Sequence, residues 1–562
     1  MRAGRLSGPL PVACRAQAQG SSNSLILLVF CSWSSAWRLV LRCPPGQICD
    51  GFHKTLSNNR SRQILLNDRL AERLRLPSRV GSWWTRGREL CGQCGGVPIQ
   101  HQAQIAAVPV RSAATDILWP AVAQGAGGQL AALLFQLEQS QWWPAAALRE
   151  QQLRQLGPVL AHAFDTVPAY RARLQEAGFK PGDAASEALL QRIPLLTRDE
   201  IQRSAETLRS QRVPKAHGAV RSASTSGSTG QTLRVHATEL NNFMWMAFTM
   251  RDHLWHARDV RKKLAVIRYQ PPKGDETREG RVADNWGAPV NLLYASGPCV
   301  SLHINTDVAS QVAWLQRHAP HYLLTYPSNL KALAMHCREH GVELACLEEV
   351  RTISEILHPG TRELCREVFG ASIVDAYTCN EVGYIALQCP TCEQYHLQME
   401  NVLCEILDDD NRPCAPGEMG RVVVTALHNF AMPLIRYELR DYAEPGEPCA
   451  CGRGLPTLRR ILGRERNMIC LPNGERRYPT GFTQWGELAP VAQFQIIQRS
   501  VRELEARLVT RRPLTAEDEG RLRDAITRTY ATTFDIRFTY LEELRGHANG
   551  KFEEFISEIP GA

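Results

Sequence analysis

No stretch of this 562-residue chain reaches the ~20 apolar residues that a membrane span requires. The nearest approach, from Leu25 to Phe30 and patchily on to Val40, is interrupted by Arg38 and several serines. Arg2 and Arg5 stand ahead of it, but the patch starts late and no small-residue cleavage site follows, which argues against a signal peptide. Acidic residues are scarce at the start of the chain. Before Asp116 there are 15 Lys/Arg against 4 Asp/Glu, so the net charge of +8 belongs to that stretch and the remainder carries −3. The main body therefore lacks the basic footprint of a nucleic-acid binder. Internal repeats are absent. No Gly-Lys-Ser/Thr opens a helix, which excludes a Walker-type phosphate loop.

The length calls for two or more domains. Residues 1–115 mix Ser, Arg, Trp and Cys without sustained period and break at Pro44-Pro45 and Gly95-Gly96. They are expected to be a disordered or spurious extension. Of the 18 cysteines, those after residue 116 are mostly scattered through apolar segments, as at Cys346, Cys404 and Cys470. Scattered thiols suit a reducing, cytoplasmic setting.

Leu153, Leu156, Leu160 and Phe164 form one apolar stripe, so 129–175 reads as a helical entry, with Pro144 at a helix start. Short apolar runs at 264–267, 322–326, 350–353 and 372–374 alternate with helical patterns such as 328–340 and 360–369. That alternation predicts a mainly parallel sheet with covering helices. After Glu381 the runs at 396–408, 420–427 and 434–439 have short, turn-rich links, which predicts an antiparallel β subdomain over 390–460. From Asn467 a third unit begins: paired strands at 494–499 and 503–510, an amphipathic helix at 515–530, and a strand at 534–540. Thr515 is its N-cap and Asp518 stands where a capping box would use Glu or Gln. The fold class is α/β plus β: a core domain at 116–466 and a small α+β lid at 467–562.

Thr225, Ser226, Gly227, Ser228, Thr229 and Gly230 form a run whose glycines and hydroxyls can wrap a phosphate chain. Further on come Tyr377-Thr378-Cys379-Asn380-Glu381, then Arg436-Tyr437 with Asp441, then Gly463-Arg464, and finally Gly550-Lys551. In this order the set resembles the adenylate-forming ligases, and within them the phenylacetate–coenzyme A ligase family, from about residue 130 to the C-terminus. The resemblance implies a large adenylate-forming domain and a mobile lid. It implies ATP bound with its β- and γ-phosphates on 225–230, adenine on Tyr377, and ribose hydroxyls on Asp441, with Arg464, Ser354, Glu355 and Ala376 nearby. Glu381 would hold Mg²⁺, a hard cation suited to a carboxylate at a strand end. Lys551 would be the adenylation lysine, reaching both the substrate carboxylate and the α-phosphate, and Asn467 the hinge. The chain departs from the family at Gln231, where many members have Lys, at Thr378 and Asn380, where Gly and Thr are usual, and at Asn467 itself, where the family has Asp.

Cys389 and Cys392, with Cys449 and Cys451, form two close pairs flanking the β subdomain. Four thiolates match structural tetrahedral zinc, with His396 in reserve. The implied function is ATP-dependent activation of an aromatic carboxylic acid to its acyl-adenylate, then transfer to coenzyme A. No nucleic-acid or membrane partner is expected, and a homodimer is left open. The alternatives are another acyl acceptor or a non-catalytic, nucleotide-binding zinc scaffold. Trp245, Phe248, Tyr269, Trp286 and Tyr294 are available to a substrate pocket but serve a core equally well.

Overall fold

In the computed structural model the described residues are 110–559, apart from 114, 118–119, 225–232, 271–278, 480–481, 483–484, 545 and 547–550, with three short strands before them. Those strands, β1 (Cys14–Arg15), β2 (Ile26–Phe30) and β3 (Arg38–Arg42), pair antiparallel within a separate unit, 1–94. The rest of the expected extension up to residue 109 lies outside the described residues. Val110 bridges Tyr294, and the Arg111 N–H donates to Leu293 O at 2.7 Å, so the chain is tied to the core ahead of residue 116.

The helical entry comprises α1 (Gly125–Ser140), α2 (Ala145–Thr166) and α3 (Pro168–Glu176), with Pro144 immediately before α2. Of the expected stripe, Leu156 and Leu160 are fully buried, with Val159 and Ala163 beside them, while Leu153 and Phe164 are half-buried at its edge. Helices α4 (Glu187–Arg192) and α5 (Arg198–Ser204) follow, α5 opening on a Thr197/Glu200 capping box. Strands β4 (Val220–Ser224) and β5 (Arg234–Thr238) form an antiparallel hairpin that leads into α6 (Glu239–Trp255).

The central sheet is built from β6 (Leu264–Arg268), β7 (Arg281–Ala283), β8 (Cys299–His303), β9 (Tyr322–Thr325), β10 (Glu349–Thr352) and β11 (Ser372–Cys379). It continues through β12 (Gly383–Gln388), β13 (Tyr395–Leu397), β14 (Val402–Leu407), β15 (Gly420–Ala426), β16 (Tyr437–Pro445) and β17 (Thr457–Arg464). Helices α7 (Val290–Leu293), α8 (Val308–His318), α9 (Pro327–His340) and α10 (Pro359–Phe369) connect strands of its first half. The order is β14-β15-β16-β17-β13-β12-β11-β10-β9-β6-β8-β7. From β8 to β11 the strands run parallel; beyond β11 every pairing is antiparallel. The segment expected to be a β subdomain is thus the other half of one twelve-stranded sheet. The β11–β12 hairpin, which pairs Ala376 with Leu387 and Cys379 with Gly383, carries the hydrogen bonding across. The expected strand at 396–408 is two strands, β13 and β14, broken at 398–401.

The lid contains β18 (Ile469–Cys470), β19 (Arg476–Arg477), α11 (Trp485–Leu488), β20 (Val491–Gln498), β21 (Glu503–Thr510), α12 (Ala516–Tyr530), β22 (Asp535–Tyr540) and β23 (Phe555–Ser557). Its sheet runs β22-β21-β20-β23, with Leu522, Ile526 and Tyr530 of α12 in one core with Ile496, Leu508 and Trp485. Asp518 does complete the capping box: it accepts the Thr515 N–H at 2.9 Å, and Thr515 Oγ1 accepts the Asp518 N–H at 3.2 Å. The shorter carboxylate suffices. Among the described residues no helix is long and apolar enough to cross a membrane.

Candidate active site

The run from Thr225 to Gly230, with Gln231, falls in sequence between β4 and β5 and lies outside the described residues. Tyr377 to Glu381, Asp441, Gly463, Arg464 and Lys551 line one cavity of about 760 Å³, whereas Arg436 is buried against Glu405 and the Gln191 and Ile193 carbonyls and Tyr437 packs in the core.

Tyr377 ends the buried stretch of β11, Thr378 and Cys379 are its last residues, and Asn380, Glu381 and Val382 form the turn into β12, where the sheet changes from parallel to antiparallel. Across the cavity, Asp441 lies in β16 opposite Arg464 of β17. Arg440, just before it, has φ +61°, a kink that belongs to the irregular pairing of this strand. The Tyr377 hydroxyl donates to Asp441 Oδ2 at 2.7 Å. Burial pushes the Asp441 carboxyl up; Arg464, the Tyr377 hydroxyl, Lys551 and Arg198 pull it back toward the ionised form. Gly463 has φ +80°, and a Cβ there would stand 2.1 Å from Ile356 Cδ1, so this position admits only glycine without rearrangement.

Glu381 is almost wholly buried, and burial raises its pKa. Its nearest cation is Arg198, at 3.6 Å, the first residue of α5. The sequence reading missed Arg198. Its one signal was an Arg directly after the capping threonine, which does not reveal that α5 points at a turn nearly two hundred residues away. A single carboxylate beside bound phosphates is the usual protein contribution to a Mg²⁺ site, and Glu381 fits that donor set.

Lys551 comes from the lid, four residues before β23 anchors the chain against β20. Gly550 lies outside the described residues. Burial and then Arg464 lower the Lys551 pKa, while Glu355, Asp441 and Glu381 raise it, so the ammonium stands within electrostatic reach of all three carboxylates. Ser354, Glu355 and Ala376 line the same cavity. Ser354 has φ +71°, a turn after β10 that sets up Glu355. Glu355, expected near the nucleotide, lines that cavity and also makes a contact of its own. Its Oε2 accepts the Ser328 N–H at 2.9 Å and its Oε1 the Phe552 N–H at 3.0 Å, so it latches the segment bearing Lys551. Burial lifts its pKa to about 6. Asn467 takes part as well: its Nδ2 donates to Phe555 O at 2.7 Å and to Glu553 Oε1 at 3.3 Å. Arg466 pairs with Glu553, and Lys331 of α9 with Glu554.

Beyond Glu381 the cavity is bounded by one face of α6, with Trp245, Met246 and Thr249, and by Trp286 and Tyr322. Of the five aromatics considered from sequence, Trp245 and Trp286 line it, Phe248 is buried in the core, and Tyr294 packs in the same cluster. Tyr269 is 40% exposed.

At the β12–β13 turn and the 449–451 loop the cysteines gather, but with a different fourth member. The ligand atoms of Cys389, His396, Cys449 and Cys451 lie within 4.8 Å of one another. Cys389 Sγ is 3.6 Å from Cys449 Sγ, and Cys451 Sγ is 3.3 Å from His396 Nε2. Cys392 Sγ approaches Cys449 at 3.5 Å yet stands outside that group of four. The cause is the β13–β17 pairing, which places His396 opposite Thr457 and so beside the 449–451 loop. The His396 Nδ1–H donates to Leu455 O at 3.1 Å, which turns the lone pair of Nε2 toward Cys451.

The lid matches the CapK C-terminal domain family over residues 483–558. The chain is 28% identical over 347 residues to a phenylacetate-coenzyme A ligase of Thermus thermophilus, covering 59% of this chain and 73% of the relative. It is 27% identical over 351 residues to a phenylacetate-coenzyme A ligase of Pseudomonas putida, covering 59% and 74%. Among solved structures, 2-hydroxyisobutyryl-CoA ligase in the postadenylation state with R3-HIB-AMP superposes with a TM-score of 0.60 at 18% identity, over 75% of this chain and 92% of that one. Sequence relatives and architecture agree: the chain is similar to the phenylacetate–coenzyme A ligases over about 60% of its length and has the fold of 2-hydroxyisobutyryl-CoA ligase.

Proposed function

We propose that this protein activates a small carboxylic acid with ATP and passes the acyl group to coenzyme A. The observation that carries the reading is the delivery of Lys551, from the lid, into a cavity already holding Asp441, Arg464, Tyr377 and Glu381. In the first half-reaction a carboxylate oxygen attacks the α-phosphorus of ATP; the acyl–oxygen–phosphorus linkage forms and the bond to pyrophosphate breaks. Negative charge gathers on the α-phosphoryl oxygens, and the Lys551 ammonium is placed to stabilise it. Asp441 accepts the ribose hydroxyls while its other contact, the Tyr377 hydroxyl, fixes the ring that packs on adenine. Glu381 would hold Mg²⁺, which neutralises phosphate charge when bound. In the second half-reaction the coenzyme A thiolate attacks the acyl carbon and AMP departs. Trp245 and Trp286 favour an aromatic acid. Purified protein should release pyrophosphate with ATP and a member of a carboxylic-acid panel, and form a thioester once coenzyme A is added. Nucleotide binding without pyrophosphate release for any acid would replace this reading with a non-catalytic one.

The same reading includes a structural zinc held by Cys389, His396, Cys449 and Cys451. Tetrahedral zinc with Zn–S bonds of about 2.3 Å sets its sulfurs roughly 3.8 Å apart. The 3.6 Å Cys389–Cys449 separation fits that spacing, and so does the Nδ1–H tether on His396. Four protein ligands leave no open position, so its role is to staple the β12–β13 turn to the loop before β17.

A further inference from the structure

Helix α6 presents Asn242, Trp245, Met246, Thr249 and His253 to the cavity, one face at helical spacing. The ring of Trp245 lies 5.1 Å from that of Tyr384, three residues past Glu381, and so adjoins the reacting end. His253 stands two turns further along, about 12 Å at 1.5 Å per residue. It is only 8% exposed, with Trp286 edge-on to its ring at 5.4 Å.

Its neighbours fix its chemistry. Arg258 Nη1 lies 3.2 Å from His253 Nδ1 and can only donate, so Nδ1 is the acceptor. Burial, Arg258 and Arg351 hold the ring neutral. The remaining proton is therefore on Nε2, which has no hydrogen-bond partner among the described residues. Arg258 Nη2 also lacks a partner, but that atom is itself fully buried. Around the ring the charges cancel: Arg258 pairs with Asp252 and Glu349, and Arg351 pairs with Asp252. The Arg351 Nη2–H donates to the Tyr384 hydroxyl at 2.7 Å. The Thr249 hydroxyl donates to Trp245 O at 2.9 Å, so its oxygen is left to accept the Tyr384 hydroxyl proton at 3.0 Å. Beside His253 the ion pairs balance and Nε2 is a donor without a partner among the described residues; Arg268 also lines the cavity.

Resting on the ligase reading above, we infer that the acid this enzyme takes is elongated and ends in a neutral hydrogen-bond acceptor, an ether, hydroxyl or carbonyl oxygen, that accepts the His253 Nε2–H. A second carboxylate does not suit the balanced ion pairs beside His253, and a wholly apolar tail leaves a buried N–H unpaired.

The test compares 3-(4-methoxyphenyl)propanoate with 3-(4-ethylphenyl)propanoate, acids of equal shape that differ in the acceptor. It uses acid-dependent pyrophosphate exchange without coenzyme A. Wild-type kcat/KM should favour the ether by about 10-fold or more. His253→Leu should bring the ratio near one, and His253→Gln, whose amide can accept from Arg258 and still donate, should restore part of it. Equal use of both acids by wild type would overturn the inference. So would a His253→Leu effect confined to KM for coenzyme A in the thioester step, which would make the acceptor a pantetheine amide. No pyrophosphate exchange with any acid would remove the ligase reading and this inference with it; exchange without discrimination would remove the inference alone.

Discussion

Glu355→Gln tests whether the latch on the lid segment works as its geometry states. The carboxylate accepts backbone N–H groups from Ser328 and from Phe552, and burial raises its pKa from 4.5 to about 6. Because the folded value lies above the unfolded one, the folded protein binds more protons over this range. The contribution of Glu355 to stability is fully present below about pH 4.5 and is lost as pH rises through about 6. A shift of about 1.5 pK units corresponds to roughly 2 kcal/mol of cost at pH 7.5, of which about 1.3 kcal/mol is recovered at pH 5. Glutamine removes the titration. It also replaces one of the two acceptor oxygens by an NH₂ group, a loss of about 1 kcal/mol at either pH. The variant should therefore be about 1 kcal/mol more stable than wild type at pH 7.5 and about equal to it at pH 5. Guanidinium unfolding of both proteins at both pH values, followed on the same transition, gives the two differences. A wild-type-minus-variant difference that does not change between pH 7.5 and pH 5 would refute the buried-latch account.

Three further outcomes are expected. Lys551→Ala should slow adenylate formation by about 10²–10³-fold and leave thioester formation from supplied acyl-adenylate largely intact, read by running the half-reactions separately; equal loss in both would make Lys551 a docking residue only. Asp441→Ala should weaken ATP binding by ~1.5–3 kcal/mol in calorimetry, because the ribose hydroxyls lose a charged acceptor, and unchanged affinity in a folded variant would count against that role. Metal analysis should find about one zinc per chain, retained in Cys392→Ser and lost in His396→Ala with a drop in thermal stability; the reverse pattern would return the fourth position to Cys392.

The residues that sequence located are those whose polarity interrupts a local pattern. Glu381 closes an apolar strand, Asp441 follows an apolar run, and Lys551 lies between a polar loop and two phenylalanines, so each could be singled out from its neighbours. The residues or contacts it missed come from pairing across the fold. Arg198 meets Glu381 only because α5 packs against β16, and the latch on Glu355 exists only because Phe552 returns from the far end of the chain to donate to it. His396 was a reserve ligand because spacing favours the two Cys pairs; the β13–β17 register turns it inward instead. The antiparallel half was legible strand by strand. Its fusion with the parallel half was not, because one hairpin, β11–β12, decides it.

That hairpin and the lid together suggest how one cavity can serve two half-reactions. The lid meets the core near Lys551 through polar contacts: Phe552 to Glu355, Lys331 to Glu554, and Arg466 to Glu553 just ahead of β23, with Asn467 at the junction holding Phe555. The apolar core of the lid is closed on itself, around Trp485, Ile496 and Leu522. An interface held by hydrogen bonds and ion pairs can exchange them for water at a net cost of about 0.5–1.5 kcal/mol each, whereas opening an apolar core costs about 25 cal/mol for every Å² exposed. Undocking near Lys551 therefore leaves the lid's own core intact and breaks contacts that water replaces, while a small apolar cluster, Met468 and Tyr478 against Tyr442 and Leu462, joins lid to core beside the junction. On the ligase reading this is what the second half-reaction needs. Withdrawing Phe552 from Glu355 takes Lys551 away with it, since the two are adjacent in the chain. Asn467, bonded to both Glu553 and Phe555, lies where core meets lid, so a change in its backbone would move the whole segment as one body.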